Sequence, residues 1–250
     1  MRAVLLEELT WLEAERVLTP RAIVVLPIGA AAKEHGPHLK LKNDFLLAEH
    51  LKRRVLARGG GDVVVAPTIA YHHYPAFVEY PGSTTLSLET ARDLVVDIVS
   101  SLARHGPRRF YALNTGVSTL RALRPAAEVL AARGVLLRFT DILALLEPVE
   151  RAIGEQERGT HADEIETSIM LAIAPRHVDM TKASRDCHED RPGPLTRDPA
   201  GAGTYSPTGT FGDPTLATRA KGRRAVAALV AGILADLAGL RRAPLPPARV

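Results

Sequence analysis

The sequence contains little of what stabilises small secreted proteins. It has 250 residues but one cysteine, Cys187, and only 4% aromatic residues. A single cysteine excludes both an intrachain disulfide and a thiolate metal cluster, and this cysteine usage is typical of a reducing cytosol. We therefore predict a cytoplasmic protein that is stabilised by a packed core.

Long apolar runs are also absent from the sequence. No run reaches the ~18 residues that a membrane-spanning helix needs. The opening segment MRAVLLEELT becomes acidic at Glu7 and has no hydrophobic region of the secretory type. The sequence therefore predicts no membrane partner and no cleaved leader.

The chain has no large excess of charge of either sign. Its 32 Lys and Arg against 28 Asp and Glu give a net charge of +4. The basic pairs, such as Arg108–Arg109, are not interleaved with aromatic residues, and no helix-turn-helix or zinc-finger pattern is present. We therefore predict no nucleic-acid partner. With 46% apolar and 24% charged residues, the composition is that of a soluble globular domain.

Strand and helix patterns alternate along the first part of the chain. Apolar runs predict strands over residues 22–28, 62–66, 109–113 and 135–139. Helical patterns predict helices after a Thr10–Glu13 capping box and over about 44–58, 87–105 and 120–133. This alternation predicts an α/β fold, with a mainly parallel sheet flanked by helices. We expect a single domain over residues 1–243 and a flexible C-terminal tail over 244–250.

The second part of the chain is mostly helical by the same criteria. Helices are predicted over about 141–156, 161–174 and 215–239. Before the last helix lies the segment Lys182–Asp213, which is rich in Pro, Gly, Asp and Thr. Loops of this length in compact domains are usually functional or disordered. The apolar face of the last helix fits either the core or a subunit contact.

Polar residues gather after three predicted strands and at the start of one later helix. Ligands bind beyond the carboxyl ends of strands in open parallel sheets. The four groups are Lys33-Glu34-His35 with Asp44, His72-His73-Tyr74, Asn114-Thr115-Gly116 with Ser118, and His161 with Asp163, Glu164 and Glu166. Imidazole and carboxylate together suit Zn, Mn or Fe. Structural roles are the alternative, because acidic and hydroxyl residues also cap helices.

Taken together, these segments resemble the creatininase (creatinine amidohydrolase) family. The matching pieces run in family order over about residues 22–222: Leu26-Pro27-Ile28-Gly29, Glu34 to Leu39 with Asp44, Pro81-Gly82-Ser83-Thr84, Asn114, His161-Ala162 with Glu164, Glu166-Thr167-Ser168, and Gly212-Asp213-Pro214 with Ala217-Thr218. The resemblance implies a creatininase-like fold and hydrolysis of a C–N bond in a small amide, linear or cyclic. It also implies two divalent metal ions and a homo-oligomer, up to a hexamer.

The resemblance assigns roles to residues, and it also shows departures. It implies that Asp44 bridges the metals, that His35 is a ligand, and that His161 and Glu166 transfer protons. However, the family has Glu where this chain has Lys33, and His where it has Gly116. Ser118 stands in place of the alternative family ligand, a Glu. Because two ligands of one ion are missing together, we expect that one of the two metal sites is lost.

The leading hypothesis is an amidohydrolase with one divalent ion, which is Zn, Mn or Fe. Its expected ligands are His35 and Asp44 together with a carboxylate from Glu164, Glu166 or Glu34. Its expected catalytic residues are His161, Glu166 and Lys33. The expected substrate-binding residues are Asn114, Thr115, Gly116, Ser118, His72, His73 and Tyr74. Two alternatives remain: a metal-free enzyme that uses Lys33, His161 and Glu166 as acids and bases, and a non-catalytic protein that binds a ligand. Creatinine itself is not the expected substrate.

Overall fold

A computed structural model describes residues 3–248, and these residues form a five-stranded sheet. All its strand pairs are parallel, in the order β1-β3-β2-β4-β5. The strands are β1 Val4–Leu5, β2 Ile23–Ile28, β3 Val63–Val65, β4 Arg109–Asn114 and β5 Leu136–Phe139. The fold class predicted from the sequence is confirmed. Residues 249 and 250 of the predicted tail lie outside the described residues, as do residues 1 and 2.

Helices cover both faces of the sheet. They are α1 Trp11–Val17, α2 Asn43–Arg58, α3 Leu88–Ala103, α4 Leu120–Ala132, α5 Ile142–Ile153, α6 Glu164–Ile173 and α7 Arg219–Arg242. One core lies between the sheet and α2, α5, α6 and α7, and a second lies between the sheet and α1, α3 and α4. Within residues 3–248, no helix combines the length and apolar character that crossing a bilayer requires.

The apolar run of β2 explains how the two cores are joined. All six of its residues are buried. Ile23 and Val25 point into the first core, whereas Val24 and Leu26 point into the second. Because side chains alternate across a strand, a strand that is covered on both faces must be apolar at every position.

The sequence patterns missed the shortest strands. β1 has only two residues, which pair with Val64 and Val65 of β3. The segment Lys182–Asp213 contains a further parallel pair, β6 Leu195–Thr196 and β7 Thr204–Tyr205. Two-residue strands carry too little periodicity to be recognised in a sequence. Near the C-terminus, Ala248 forms a β-bridge with Arg133.

Two helices begin later than the sequence patterns predict. α6 starts at Glu164, because Ala162 has a positive φ of 49° and Asp163 caps the helix through the N–H groups of Ile165 and Glu166. α7 starts at Arg219, after its cap Thr218. The apolar face of α7 packs into the first core. Of the two roles that the sequence allowed for this face, core or subunit contact, the structure shows the core.

The end of β2 lies directly against the first turn of α2. A Cβ on Gly29, the residue after β2, would overlap the backbone carbonyl of Asp44. On its other side, Ile28 at the end of β2 pairs with Asn114 at the end of β4. The fold thereby brings the segment around Lys33, the first turn of α2 and the turn after β4 to one edge of the sheet.

Candidate active site

A cavity of about 410 Å3 lies at this edge, beyond the carboxyl ends of β2 and β4. This volume falls within the range of about 300–1,000 Å3 that is usual for small-molecule sites. Among the site residues predicted from the sequence, those that line the cavity are Lys33, Thr115, Ser118, His161 and Glu166. Apolar side chains of α5 complete one wall, and the segment around β6 and β7 covers another.

His161 is held rigidly at the cavity wall. Its backbone forms a β-bridge with Phe211, and the residue after it, Ala162, adopts the left-handed conformation. The ring nitrogen Nε2 lies 3.0 Å from the carbonyl oxygen of Glu34 and 3.1 Å from its Oε2. Both of these oxygens accept, so Nε2 carries a proton and donates it. In the neutral ring, Nδ1 is then the atom with the lone pair.

Glu166 stands next to that lone pair. Its Oε2 lies 3.7 Å from Nδ1 of His161 and accepts a 2.6 Å hydrogen bond from the backbone N–H of Ala162. A proton taken up at Nδ1 would be stabilised by this carboxylate. Glu34 and Glu166 therefore flank His161 from its two nitrogens, an arrangement suited to a general base.

A buried ion pair adjoins His161. Nζ of Lys33 lies 2.8 Å from Oδ2 of Asp44, and Nε2 of His35 lies 2.8 Å from Oδ1. Burial alone would raise the pKa of Asp44, but Lys33 and His35 outweigh it and hold that pKa well below its ordinary value. Burial likewise opposes charge on Lys33, but Asp44 and Glu166 prevail and raise its pKa. Both partners of the pair are therefore charged at neutral pH.

Aromatic rings enclose the ammonium of Lys33. Nζ lies 4.7 Å from the ring centroid of Phe77 and 5.8 Å from that of Tyr74. Distances of this size allow cation–π attraction. Phe77 also lies against His161, with 4.2 Å between the ring centroids. The ring of Phe77 therefore contacts both the ammonium of Lys33 and the imidazole of His161, and all three side chains line the cavity. No motif in the sequence identified Phe77.

Most polar side chains of the turn after β4 form hydrogen bonds within the protein. Asn114 donates from Nδ2 to the carbonyl oxygen of Gly116, at 2.6 Å, and Oδ1 accepts from Thr119. Thr115 donates to the carbonyl oxygens of Ile28, at 3.0 Å, and Asp44, at 3.2 Å. These bonds fix the shape of the turn. The predicted role in substrate binding stays a prediction for Asn114, Thr115, Gly116 and Ser118.

His72, His73 and Tyr74 are not among the residues that line the cavity, and their predicted role in substrate binding stays a prediction. His72 is fully buried, and within residues 3–248 neither of its ring nitrogens has a hydrogen-bond partner. Burial, reinforced by His73, lowers the pKa of His72 to about 4, so this ring is neutral at physiological pH. His73 lies 3.0 Å from the carbonyl oxygen of Leu86 through Nδ1. Tyr74 is the member of the group that comes close to Lys33.

Two of the three glutamates that the sequence predicted as possible metal ligands, Glu34 and Glu164, have other partners. Glu34 accepts from His161 and from the backbone N–H of Gly36. Glu164 is fully buried, ion-paired with Lys221, and accepts from the backbone N–H groups of Glu155 and Gln156 at 2.9 and 2.8 Å. The structure therefore does not bring Glu164 to His35 and Asp44. It does bring together His35, His161 and Glu166, whose ligand atoms lie within 4.8 Å of one another.

Two further acidic residues line the cavity: Asp163, which belongs to the His161 group of the sequence, and Glu150, which no sequence motif indicated. Burial, with repulsion from Asp163 and Glu166, raises the pKa of Glu150 to about 7. Burial, with repulsion from Glu166, also raises the pKa of Asp163 to about 6. Glu150 lies on α5 with no distinguishing motif, and its place at the cavity follows from the packing of α5 against α7.

The raised pKa of Glu150 predicts a pH-dependent effect of Glu150→Gln. A carboxyl with a raised folded pKa costs stability as the pH rises from its unfolded pKa through its folded one. We therefore expect the variant to unfold at a higher temperature than wild type at pH 8, and at nearly the same temperature at pH 5. Thermal unfolding at the two pH values measures this. An equal shift at both would contradict the stated cause.

The geometry does not fit the two-metal centre that the resemblance implies. Lys33 stands where the family has a carboxylate ligand, and its ammonium contacts the expected bridging Asp44. Oδ1 of Asp44 is hydrogen-bonded to His35 at 2.8 Å. Oδ2 lies 2.8 Å from Nζ of Lys33 as an ion-pair contact, and within residues 3–248 it has no hydrogen-bond partner. The remaining candidate for a single ion is the group His35, His161 and Glu166.

Comparison with known proteins finds relatives over most of the chain. The creatinine amidohydrolase (creatininase) family model matches residues 7–237. The chain is 30% identical over 257 residues to creatinine amidohydrolase of Pseudomonas putida, covering 93% of this chain and 95% of that protein. It is also 30% identical over 216 residues to a mycofactocin precursor peptide peptidase of Mycobacterium ulcerans, covering 83% of this chain and 81% of that one.

Solved structures show the same relationship. A crystal structure of creatininase superposes with a TM-score of 0.78 and 27% identity, covering 98% of this chain and 100% of that one. Other solved creatininase structures include a manganese form and a zinc–zinc form of a variant. Members of this family are hydrolases that act on C–N amide bonds. The chain described here belongs to the creatininase family of amidohydrolases.

Proposed function

We propose that this protein hydrolyses a C–N bond of a small amide, linear or cyclic, in the cavity beyond β2 and β4. The observation that carries the proposal is the placement of His161. Its Nε2 is committed to Glu34, its Nδ1 faces Glu166, and the ammonium of Lys33 lines the same cavity. A positioned base can activate water, and a fixed positive charge can stabilise the oxyanion that forms in amide hydrolysis.

In the proposed reaction, His161 acts first as a base and then as an acid. Nδ1 accepts a proton from water as the water oxygen attacks the carbonyl carbon of the amide. The resulting oxyanion is stabilised by the ammonium of Lys33, and Glu166 stabilises the imidazolium. The C–N bond then breaks as Nδ1 returns its proton to the leaving nitrogen. Amide and water are consumed, and a carboxylic acid and an amine are formed.

The sequence predicted a metal ion as cofactor, but the side chains around the cavity do not fit one. The ligands that the sequence predicted for a single Zn, Mn or Fe ion, His35 and Asp44, are hydrogen-bonded to each other, and Asp44 is paired with Lys33. In the other candidate group, His35, His161 and Glu166, both ring nitrogens of His35 already have partners. Lys33 already supplies a positive charge to the cavity. We therefore favour the metal-free alternative, in which Lys33, His161 and Glu166 carry the chemistry.

The relatives and the cavity lining support a small substrate that is partly apolar. One relative is named for creatinine and another for a precursor peptide. In this chain, Leu47, Ile142, Leu143 and Leu146 contribute apolar surface to the cavity. We propose a cyclic amide or a short peptide as the substrate class. The homo-oligomer implied by the family stays a prediction, which light scattering tests.

The test is amine release from a panel of lactams, N-formyl amides and short peptides. The enzyme is first treated exhaustively with a chelator and desalted. We expect release from at least one class of amide, equal before and after chelation. Loss of activity on chelation, with recovery on adding metal, would overturn the metal-free reaction. Panel members that bind wild type and His161→Gln equally, without amine release, would instead identify a non-catalytic binding protein.

A further inference from the structure

We propose that Lys33 is a permanent replacement for the metal ion beside Asp44, and that the side chains around it close this centre to divalent cations. The inference concerns what occupies the centre rather than which amide is hydrolysed. It shares the Lys33–Asp44 ion pair with the metal-free form of the proposed reaction, whereas the hydrolysis of an amide is tested separately. Three features of the structure support it.

The first feature is charge. The ammonium of Lys33 lies 2.8 Å from Oδ2 of Asp44 and is almost fully buried. Any cation that bound the same carboxylate would be held within a few ångströms of this ammonium. Repulsion between like charges is strong in a buried site, where water screens it poorly. The ion pair therefore satisfies Asp44 and also repels a competing cation.

The second feature is space. A Cβ on Gly116 would lie 3.2 Å from Cε1 of Tyr74 and 3.2 Å from Cγ2 of Thr119. A longer side chain at this position, such as the family histidine, would meet the tyrosine ring. The ring of Tyr74 therefore occupies space that a ligand side chain at position 116 would need.

The third feature is connection. A shared metal ion joins the chain segments that supply its ligands. Here Lys33 and His35 both contact Asp44, and Nδ1 of His35 lies 3.0 Å from the carbonyl oxygen of Lys33. These contacts fasten the segment after β2 to the first turn of α2. The structural work of a bridging ion is thus done by hydrogen bonds and one ion pair.

The experiment compares wild type, Lys33→Glu and the matched variant Lys33→Gln. Each protein is incubated with zinc or manganese and desalted, and bound metal is measured by mass spectrometry. Thermal unfolding is recorded with and without metal. We expect wild type to hold no stoichiometric metal that is lost in Asp44→Asn. We expect Lys33→Glu to bind zinc at least about tenfold more tightly than Lys33→Gln, because Glu offers a carboxylate ligand and changes merely beside metal ligands already alter affinity by about 10–100-fold. Only Lys33→Glu should be stabilised by metal.

Two outcomes would overturn the proposal. One is about one equivalent of metal in wild type that is lost in Asp44→Asn. The other is equal metal binding by Lys33→Glu and Lys33→Gln. Metal retained equally by wild type and Asp44→Asn lies elsewhere and agrees with the proposal. If Lys33→Glu does not fold even with metal, the comparison of wild type with Asp44→Asn decides alone. No readout uses a substrate, so failure here is distinguishable from failure of the proposed reaction.

Discussion

Replacing Lys33 by methionine is expected to lower the free energy of unfolding by about 3–5 kcal/mol, the usual cost of removing one partner of a buried ion pair. Methionine is unbranched and apolar, so the main loss is the charge. Asp44 is only 1% exposed and would keep a carboxylate that water cannot reach. Urea unfolding at pH 7 measures the change.

Two control variants separate this effect from general damage to the fold. Lys52→Met removes another buried lysine, but the partner of Lys52, Glu7, is about one-third exposed. We expect this change to lower the free energy of unfolding by only about 0–1 kcal/mol, because the carboxylate of Glu7 stays hydrated when Lys52 is removed. Adding Asp44→Asn to Lys33→Met should recover much of the loss. If Lys33→Met costs no more than Lys52→Met, the ion pair does not stabilise the fold as argued.

The loss in Lys33→Met should also depend on pH. In wild type the pKa of Asp44 is depressed, so its contribution is present above its unfolded pKa and is lost only as the pH falls through the folded value. Without Lys33, burial is opposed only by His35, and the pKa of Asp44 rises. The variant carboxyl then takes up a proton more readily in acid. The difference from wild type should therefore be full at pH 7 and smaller near pH 4.

His161→Gln is expected to lower kcat by about 10²–10⁴, the usual contribution of a positioned general base. Glutamine keeps a polar side chain of similar reach, but its amide cannot take a proton from water at neutral pH. KM should change little, because the apolar wall of the cavity is untouched. Steady-state kinetics on an amide found in the panel gives both constants.

His50→Gln is the matched control for this prediction. His50 lies on α2 and is not itself among the residues that line the cavity. We expect its kcat to stay close to that of wild type. An unchanged kcat in His161→Gln would remove His161 from the reaction. A rise in KM with unchanged kcat would make it a binding residue instead.

Much of the fold was predictable because its elements carry strong local signals. The apolar run of β2 showed that the strand is covered on both faces, and the capping box at Thr10 is present as predicted. The start of α6 was not predictable. It depends on Ala162, which adopts a left-handed conformation that glycine and asparagine usually signal in a sequence.

The sequence predicted which residues gather at the site better than it predicted the contacts that those residues make. The motif spacing placed Lys33, His35 and Asp44 together, and the structure joins them by direct contacts. By contrast, the surroundings of Glu164 depend on Lys221, which lies 57 residues further along the chain. Phe77 was missed because an isolated aromatic residue in a loop has no pattern. Its place between Lys33 and His161 arises only from tertiary packing.

The ion pair of Lys33 with Asp44 also has a consequence in terms of mass action. A bound ion occupies its site in proportion to its free concentration, and the stability it adds varies with that supply. The ammonium of Lys33 is covalently part of the chain, so each folded molecule carries it beside Asp44 at any ion concentration. A chelator cannot remove this charge, and another ion cannot exchange with it.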